Sequence, residues 1–355
     1  MLGGDGYDTL FAGSGNDFID GGGDTDTVSY INATQGMIIR FDRPFSEEFD
    51  YAGYYVADYA NDFVIKDKII NMEDIRGSEF ADTIYGNGST NFIEAGDGDD
   101  SIFAGGGYDF IDGGDGSDWI SYNPADYPNL ATNSSFMEQI QGITVDLNST
   151  DFVMIKETTT SRLIDLVKSV EQIRATNGND VIYGGNSAET FWGLDGDDRL
   201  ESRNGDDTLY GGDGNDYLRP GAGLDVSWGG ADTDYLELYN DSLVAGLHLK
   251  LSEDGTLQYS ADGTDGTWAD GYDANGGVNF AYEIEGFGAS NGINIMYGNS
   301  LANVLNAHNG DDTVYGMGGD DTINGGNDND TIYGDDLADT LSGDDIITGG
   351  NGDDI

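Results

Sequence analysis

The sequence contains no cysteine, which excludes disulfides and thiolate metal sites as the means of holding the chain together. Histidine is nearly absent as well. His248 lies on an alternating strand pattern and His308 in a turn, both expected at the surface, and neither is accompanied by a serine nucleophile elbow or an HExxH pattern. The chain is therefore not expected to be an enzyme. A glycosidase pair of carboxylates is the one catalytic device left, but among 68 acidic residues the proximity of two says little. Lys and Arg together number 13 and form no cluster, so the formal charge is −55 and nucleic acid and anionic lipid are disfavoured as direct partners. No apolar run approaches the ~20 residues of a membrane-spanning helix.

What is abundant is glycine and aspartate, and both recur on a fixed period. Residues 175–237 divide into seven nine-residue units: ATNGNDVIY, GGNSAETFW, GLDGDDRLE, SRNGDDTLY, GGDGNDYLR, PGAGLDVSW and GGADTDYLE. The sixth position holds Asp180, Glu189, Asp198, Asp207, Asp216, Asp225 and Asp234; the eighth holds Ile182, Phe191, Leu200, Leu209, Leu218, Ser227 and Leu236. Ser227 alone breaks the apolar column. Positions one to six are rich in residues that tolerate positive φ and tight turns, so they form a loop with its carbonyls turned outward. Positions seven to nine alternate outward, inward, outward, as a short strand with one buried side chain does. One such strand cannot bury its apolar residue alone. Successive units must stack, which predicts an all-β parallel β-roll or β-solenoid with two units per coil. Sixth-position carboxylates of units i and i+2 then come within about one strand spacing, ~4.8 Å.

The same unit fills three further blocks. Block 3–29 has Asp8, Asp17 and Asp26 over Leu10, Ile19 and Val28. Block 77–121 has Asp82, Asn91, Asp100, Asp109 and Asp118 over five isoleucines. Block 289–355 has Asn294, Asn303, Asp312, Asp321, Asp330 and Asp339, then a shortened unit at 343–348, and resumes at Gly349. Between the blocks lie three related inserts, 30–76, 122–174 and 238–288. Each carries a glycine (Gly36, Gly142, Gly246) followed by an alternating strand, and each closes similarly, on a Glu preceded by an apolar residue: MEDI at 72–75, VEQI at 170–173 and IEGF at 284–287. The first two also open alike, with Ser-Tyr at 29–30 and 121–122. The inserts are expected to be β-rich, continuing the solenoid or capping its side, with 162–174 readable as one short helix. Both ends of the chain cut a repeat, so a segment of a longer polypeptide is expected.

Unneutralised carboxylates at the predicted spacing repel by about 1 kcal/mol in water, and by more where solvent is excluded. A bound cation reverses the sign. Paired carboxylates with a ring of turn carbonyls make an all-oxygen cage that suits Ca²⁺ better than Mg²⁺ or Zn²⁺. The net charge then predicts that the metal-free state is poorly folded. The competing account is a solvated acidic surface, as in halophilic proteins; recurrence of the acids at fixed turn positions favours the metal.

These units resemble the RTX (hemolysin-type) calcium-binding nonapeptide, G-G-x-G-x-D-x-U-x, which GGDGNDYLR at 211–219 and GGDGYDTLF at 3–11 match fully. The resemblance implies multiple Ca²⁺ ions between the turns of units i and i+2, held by the sixth-position Asp and turn carbonyls. Carried over residue by residue, the pairs are Asp8 with Asp26, Asp100 with Asp118, Asp180 with Asp198, Asp198 with Asp216, Asp207 with Asp225, Asp216 with Asp234, and Asp312 with Asp330. Asp17, Asp109, Asp321 and Asp354 have good turns but a weaker or missing partner. The turns themselves are shaped by Gly4, Gly6, Gly96, Gly98, Gly105, Gly107, Gly114, Gly116, Gly196, Gly205, Gly212, Gly214, Gly221 and Gly223. The units that follow the inserts, with Asn91, Glu189 and Asn303 at position six, are expected to bind weakly or not at all.

The resemblance also implies export by a Gram-negative type I system, with folding outside the cell where Ca²⁺ is abundant. A secreted, calcium-dependent spacer or adhesion-associated segment of a larger extracellular protein is the expected role. The alternatives are a C-terminal targeting module of an exported hydrolase and a glycan- or cell-surface-binding adhesin. The last would use the outward ninth position, where Trp192, Tyr210 and Trp228, and Tyr297, Tyr315 and Tyr333, form aromatic faces. Cross-strand packing is the plainer reading of those faces and of the aromatic run at 50–55. Ice binding would need ranks of Thr and Asn on one turn face, which the variable positions three to five do not supply.

Overall fold

A computed structural model describes the chain except residues 43–53, 59–64, 128–139, 239–247, 253, 260–268, 271, 275–276, 290 and 336–341. Asp339, Gly246 and most of the run at 50–55 thus lie outside the described residues. The chain forms two compact units, Met1–Asn177 and Gly178–Ile355. Among the described residues both are built of strands and turns, with a three-residue 3-10 turn at Pro124–Asp126 and no α-helix.

Consecutive nonapeptides send their strands to alternate sheets, so units i and i+2 pair in parallel. In the first unit Thr83–Tyr85, Ser101–Phe103 and Trp119–Ser121 are neighbours in one sheet, with Ile84, Ile102 and Ile120 in register. Phe92–Asp97 and Phe110–Asp115 pair in the other, with Ile93 opposite Ile111. All five isoleucines are fully buried. The second unit repeats the arrangement: Val181–Tyr183, Arg199–Glu201, Tyr217–Arg219 and Tyr235–Glu237 form one parallel ladder, and Thr190–Asp195, Thr208–Asp213 and Val226–Ala231 another. The observed fold is the expected all-β parallel β-roll. Its core is a stack of eighth-position side chains, each too small a contact alone and continuous once stacked.

The inserts are spliced into one sheet at a time. In the first, Ile65–Ile70 runs parallel to Phe18–Gly23, Tyr54–Asp58 and Met37–Arg40 follow antiparallel, and Met37–Arg40 runs parallel to Thr83–Tyr85. The opposite sheet passes the same level without interruption, from Thr27–Ser29 to Asp74–Arg76 to Phe92–Asp97. The second insert does likewise with Ile143–Asp146, Val153–Glu157 and Leu163–Lys168. Residues 162–174, readable from sequence as one short helix within a β-rich insert, form two strands, Leu163–Lys168 and Gln172–Arg174. Strand pairing decides it: Leu166, Val167 and Lys168 run parallel to Phe110, Ile111 and Asp112, with Asp165 and Val167 buried and Leu166 and Lys168 half-buried. The third insert pairs Gly277–Tyr282 with Val226–Ala231 and His248–Leu251 with Ile295–Tyr297.

Outward-facing rings at the ninth position stack along the ladders. Trp192, Tyr210, Trp228 and Tyr282 follow one another with centroids 5.7, 4.8 and 5.5 Å apart. Tyr297, Tyr315 and Tyr333 are 4.8 and 4.9 Å apart and within 5° of parallel. Each inner ring thus has both faces covered by its neighbours.

Candidate calcium-binding turns

The turns are held by a contact repeated along the chain. The sixth-position N–H of one coil donates to a sixth-position carboxylate oxygen of the next coil on the same side. It links Asp8 to Asp26 Oδ1 (2.8 Å), Asp100 to Asp118 (2.9 Å), Asp180 to Asp198 (2.7 Å), Asp198 to Asp216 (2.8 Å), Asp207 to Asp225 (3.0 Å), Asp216 to Asp234 (2.9 Å) and Asp312 to Asp330 (2.9 Å). These are the pairs named from the sequence. The contact uses Oδ1 and leaves Oδ2, which no hydrogen bond satisfies in Asp8, Asp26, Asp100, Asp109, Asp118, Asp198, Asp216, Asp234, Asp321 and Asp330, though each of these atoms is buried. A buried carboxylate oxygen without a donor is costly unless a cation meets it.

Turn carbonyls are the other oxygens that lie close to these turns. Gly212 and Gly214 have φ of 127° and 130°, a conformation that only glycine adopts without strain. A Cβ on Gly212 would stand 1.8 Å from the Leu194 carbonyl oxygen, and one on Gly214 2.2 Å from that of Gly196. Position-two and position-four carbonyls of one coil therefore point at the same positions of the next. The same approach recurs at Gly114 over Gly96, Gly116 over Gly98, Gly105 over Asn87, Gly221 over Arg203 and Gly223 over Gly205. Gly4 and Gly6, at the first coil, share the positive φ with open space around them. Gly107 faces the Ser89 carbonyl.

Electrostatics agree with the geometry. Burial pushes the Asp198 carboxyl up to about 9 and those of Asp100 and Asp234 up to about 8, with repulsion from neighbouring acids adding to it. Asp225, Asp312 and Asp321 are pushed up to about 7 by the same burial. Among the described residues no three or more acidic or histidine side chains converge on one point. The donor set that fits is therefore one or two carboxylates with main-chain carbonyls, all hard oxygen, as Ca²⁺ takes.

Several partners differ from the sequence reading. Asp17 and Asp109 do have partners: their N–H groups donate to Asp67 Oδ1 (2.8 Å) and Asp165 Oδ1 (2.9 Å), on the returning insert strands. Asp321 donates to Asp345 (3.0 Å) and Asp330 to Asp354 (3.1 Å), because the coil there is 24 residues long and no fixed eighteen-residue step reaches them. Asp26, Asp118 and Asp234 donate to Glu73, Glu171 and Glu285. The shared insert endings contained that signal, and its use was not apparent from spacing alone. At the units after inserts, the Asn91 and Asn303 side-chain amides donate to the carbonyls of Glu73 (2.6 Å) and Glu285 (3.0 Å). Both Glu189 carboxylate oxygens accept from the Gly185 N–H. Asp82 is likewise saturated, by Ser78 and by the Met37 N–H.

A search of curated proteins finds no match to the chain. The family model of the RTX calcium-binding nonapeptide repeat (4 copies) matches residues 1–28, 72–102, 94–123, 170–200, 192–226, 202–236, 297–332 and 333–355. These segments make up more than half of the sequence and leave out most of each insert. With its stacked turns and its rows of sixth-position carboxylates, the chain belongs to the family of RTX calcium-binding nonapeptide repeat proteins.

Proposed function

We propose that this calcium-binding repeat module is a secreted spacer, or an adhesion-associated segment, of a larger extracellular protein, and that calcium drives its folding. It carries out no catalysis. The observation behind this reading is the row of buried, unsatisfied Oδ2 atoms repeated from coil to coil. At a charge of −55, such rows resist folding without a counter-ion and become its strongest links with one. A chain of this kind stays unfolded in a low-calcium cytosol during type I export and folds outside. Extracellular modules bind Ca²⁺ with constants on the order of 10⁻⁴–10⁻³ M, between the two compartments.

The inserts favour a spacer over a hydrolase's targeting module, since they lengthen the sheets with strands. The aromatic ladders are structural in this reading. A sugar stacks on an open ring face, and the inner faces at Tyr210, Trp228 and Tyr315 are taken by other rings. Among the described residues no helix is long and apolar enough to cross a membrane.

The test is a calcium titration followed by far-UV circular dichroism, with Mg²⁺ as control and Asp216→Asn as variant. A cooperative gain of β-signal near millimolar Ca²⁺, absent with Mg²⁺ and shifted to higher Ca²⁺ in the variant, is expected. A chain already fully folded in chelator would overturn the metal-driven reading in favour of a solvated acidic surface.

A further inference from the structure

Resting on the calcium reading above, we propose that Glu73, Glu171 and Glu285 are calcium ligands, each extending a row of sites by one ion past the last nonapeptide before an insert. None belongs to the nine-residue units read from the sequence period, although the family match takes in Glu73 and Glu171. Yet strand register places each opposite a sixth-position aspartate: Thr27 pairs with Asp74, Trp119 with Gln172 and Tyr235 with Gly286, so the preceding residues, Glu73, Glu171 and Glu285, face Asp26, Asp118 and Asp234.

The contacts repeat three times. Glu Oε2 accepts from the aspartate N–H at 3.0, 3.0 and 2.7 Å. This is the role that Oδ1 plays between ordinary coils, and here one of the two Glu carboxylate oxygens fills it. The backbone differs in one respect. Two consecutive amides, Glu73 and Asp74, converge on the Asp26 carbonyl at 3.1 and 3.0 Å, and the same pair of bonds recurs at Asp118 and Asp234. In the repeats a single amide does this, as Thr27 does to the Asp8 carbonyl at 2.8 Å. Glutamate's additional methylene thus serves at the places where the returning backbone is set differently.

A second observation points to a cation there. Asp26, Asp118 and Asp234 are fully buried, and each keeps an Oδ2 with no hydrogen-bond partner. Each Glu adds charge repulsion beside such a group, which a hydrophobic or amide residue would avoid.

The other row of the first two inserts ends in the opposite way. Asp67 and Asp165 also occupy the sixth-position register and also accept an aspartate N–H with Oδ1. Their Oδ2 atoms are taken, however, by the hydroxyls of Tyr30 (3.0 Å) and Tyr122 (2.8 Å). Beyond Glu73 and Glu285 the row closes too, because Asn91 and Asn303 place an N–H donor on the Glu carbonyl, where a cation would need oxygen. Glu73 and Glu285 are therefore the last open acids of their rows before a shut position.

The test counts calcium ions. Glu73→Gln, Glu171→Gln and Glu285→Gln, singly and together, are compared with the wild-type full chain by equilibrium dialysis with ⁴⁵Ca²⁺ and by calorimetry. Glutamine keeps an oxygen for the aspartate amide, so a purely structural contact would survive. The expected result is one ion fewer per substitution and three fewer in the triple variant, with the β-signal retained at saturating Ca²⁺. Glu285→Asp, one methylene too short for this setting of the backbone, should lose the same ion as Glu285→Gln, and this comparison stands even if the triple variant does not fold. Glu79→Gln, at an exposed acid, should change nothing. Unchanged stoichiometry and midpoint in all three single variants would overturn the proposal and leave the calcium reading intact. A wild-type chain that takes up no calcium would instead overturn that reading and this proposal with it.

Discussion

At position one of the repeat, the space a Cβ would fill is taken by the carboxylate of position six. On Gly211 that atom would stand 2.2 Å from Asp216 Oδ2 and 2.5 Å from the Gly229 carbonyl oxygen; on Gly193 it would stand 2.1 Å from Asp198 Oδ2. These glycines make room for the position-six carboxylate, whereas Gly212 and Gly214 permit a backbone turn. Periodicity reveals that glycine recurs at all three positions but not that the reasons differ, since only folding brings position six over position one. The apolar column was legible, and so was its exception. Ser227 is fully buried between Leu209 and Ala281 in the ladder, and its Oγ has no hydrogen-bond partner. An unsatisfied buried hydroxyl costs about 1–3 kcal/mol, so Ser227→Ala should stabilise the calcium-loaded chain by an amount in that range. A higher urea midpoint would show it; a lower one would mean that the hydroxyl is satisfied in solution.

Among the elements, the repeat strands follow from their period and the inserts follow only in part. Alternation after Gly142 correctly gives strand Ile143–Asp146, but 162–174 could be read with either period until strand pairing decides it. The insert's acidic partner for the repeat row was hidden for the same reason. Asp165 lies 56 residues from Asp109, and no local rule spans that distance. Its fixed geometry depends on Tyr122, whose buried hydroxyl donates to Asp165 Oδ2. Tyr122→Phe keeps the ring and removes that donor. It should destabilise the calcium-loaded chain by roughly 1–3 kcal/mol, the cost of an orphaned buried acceptor, read as a lower urea midpoint. A variant as stable as the parent would show that the hydroxyl is not needed to hold this strand.

Over the whole molecule, composition and charge lead to the expectation of a metal-dependent chain, and the buried carboxyls add an expected competition between protons and calcium. Burial raises Asp100, Asp198 and Asp234 from 3.8 to about 8, 9 and 8 in the metal-free fold. Below about pH 4 these groups are protonated folded or unfolded; above it the folded state holds protons that the unfolded chain has lost. Stability without metal therefore falls as pH rises from about 4 to 9. Calcium-free chain should show β-signal by circular dichroism near pH 4–5 and lose it toward pH 9, and calcium uptake at pH 7 should release protons, seen as a buffer-dependent binding enthalpy. A pH-independent spectrum together with no proton release would contradict this linkage. The aromatic ladder offers a way to watch these transitions without a label. Tyr210 lies between Trp192 and Trp228, 5.7 and 4.8 Å from their ring centres. In the folded coil, light absorbed by the tyrosine passes to the flanking indoles as resonance energy, and unstacking the coils severs that transfer. The protein thus carries its own optical gauge of coil stacking.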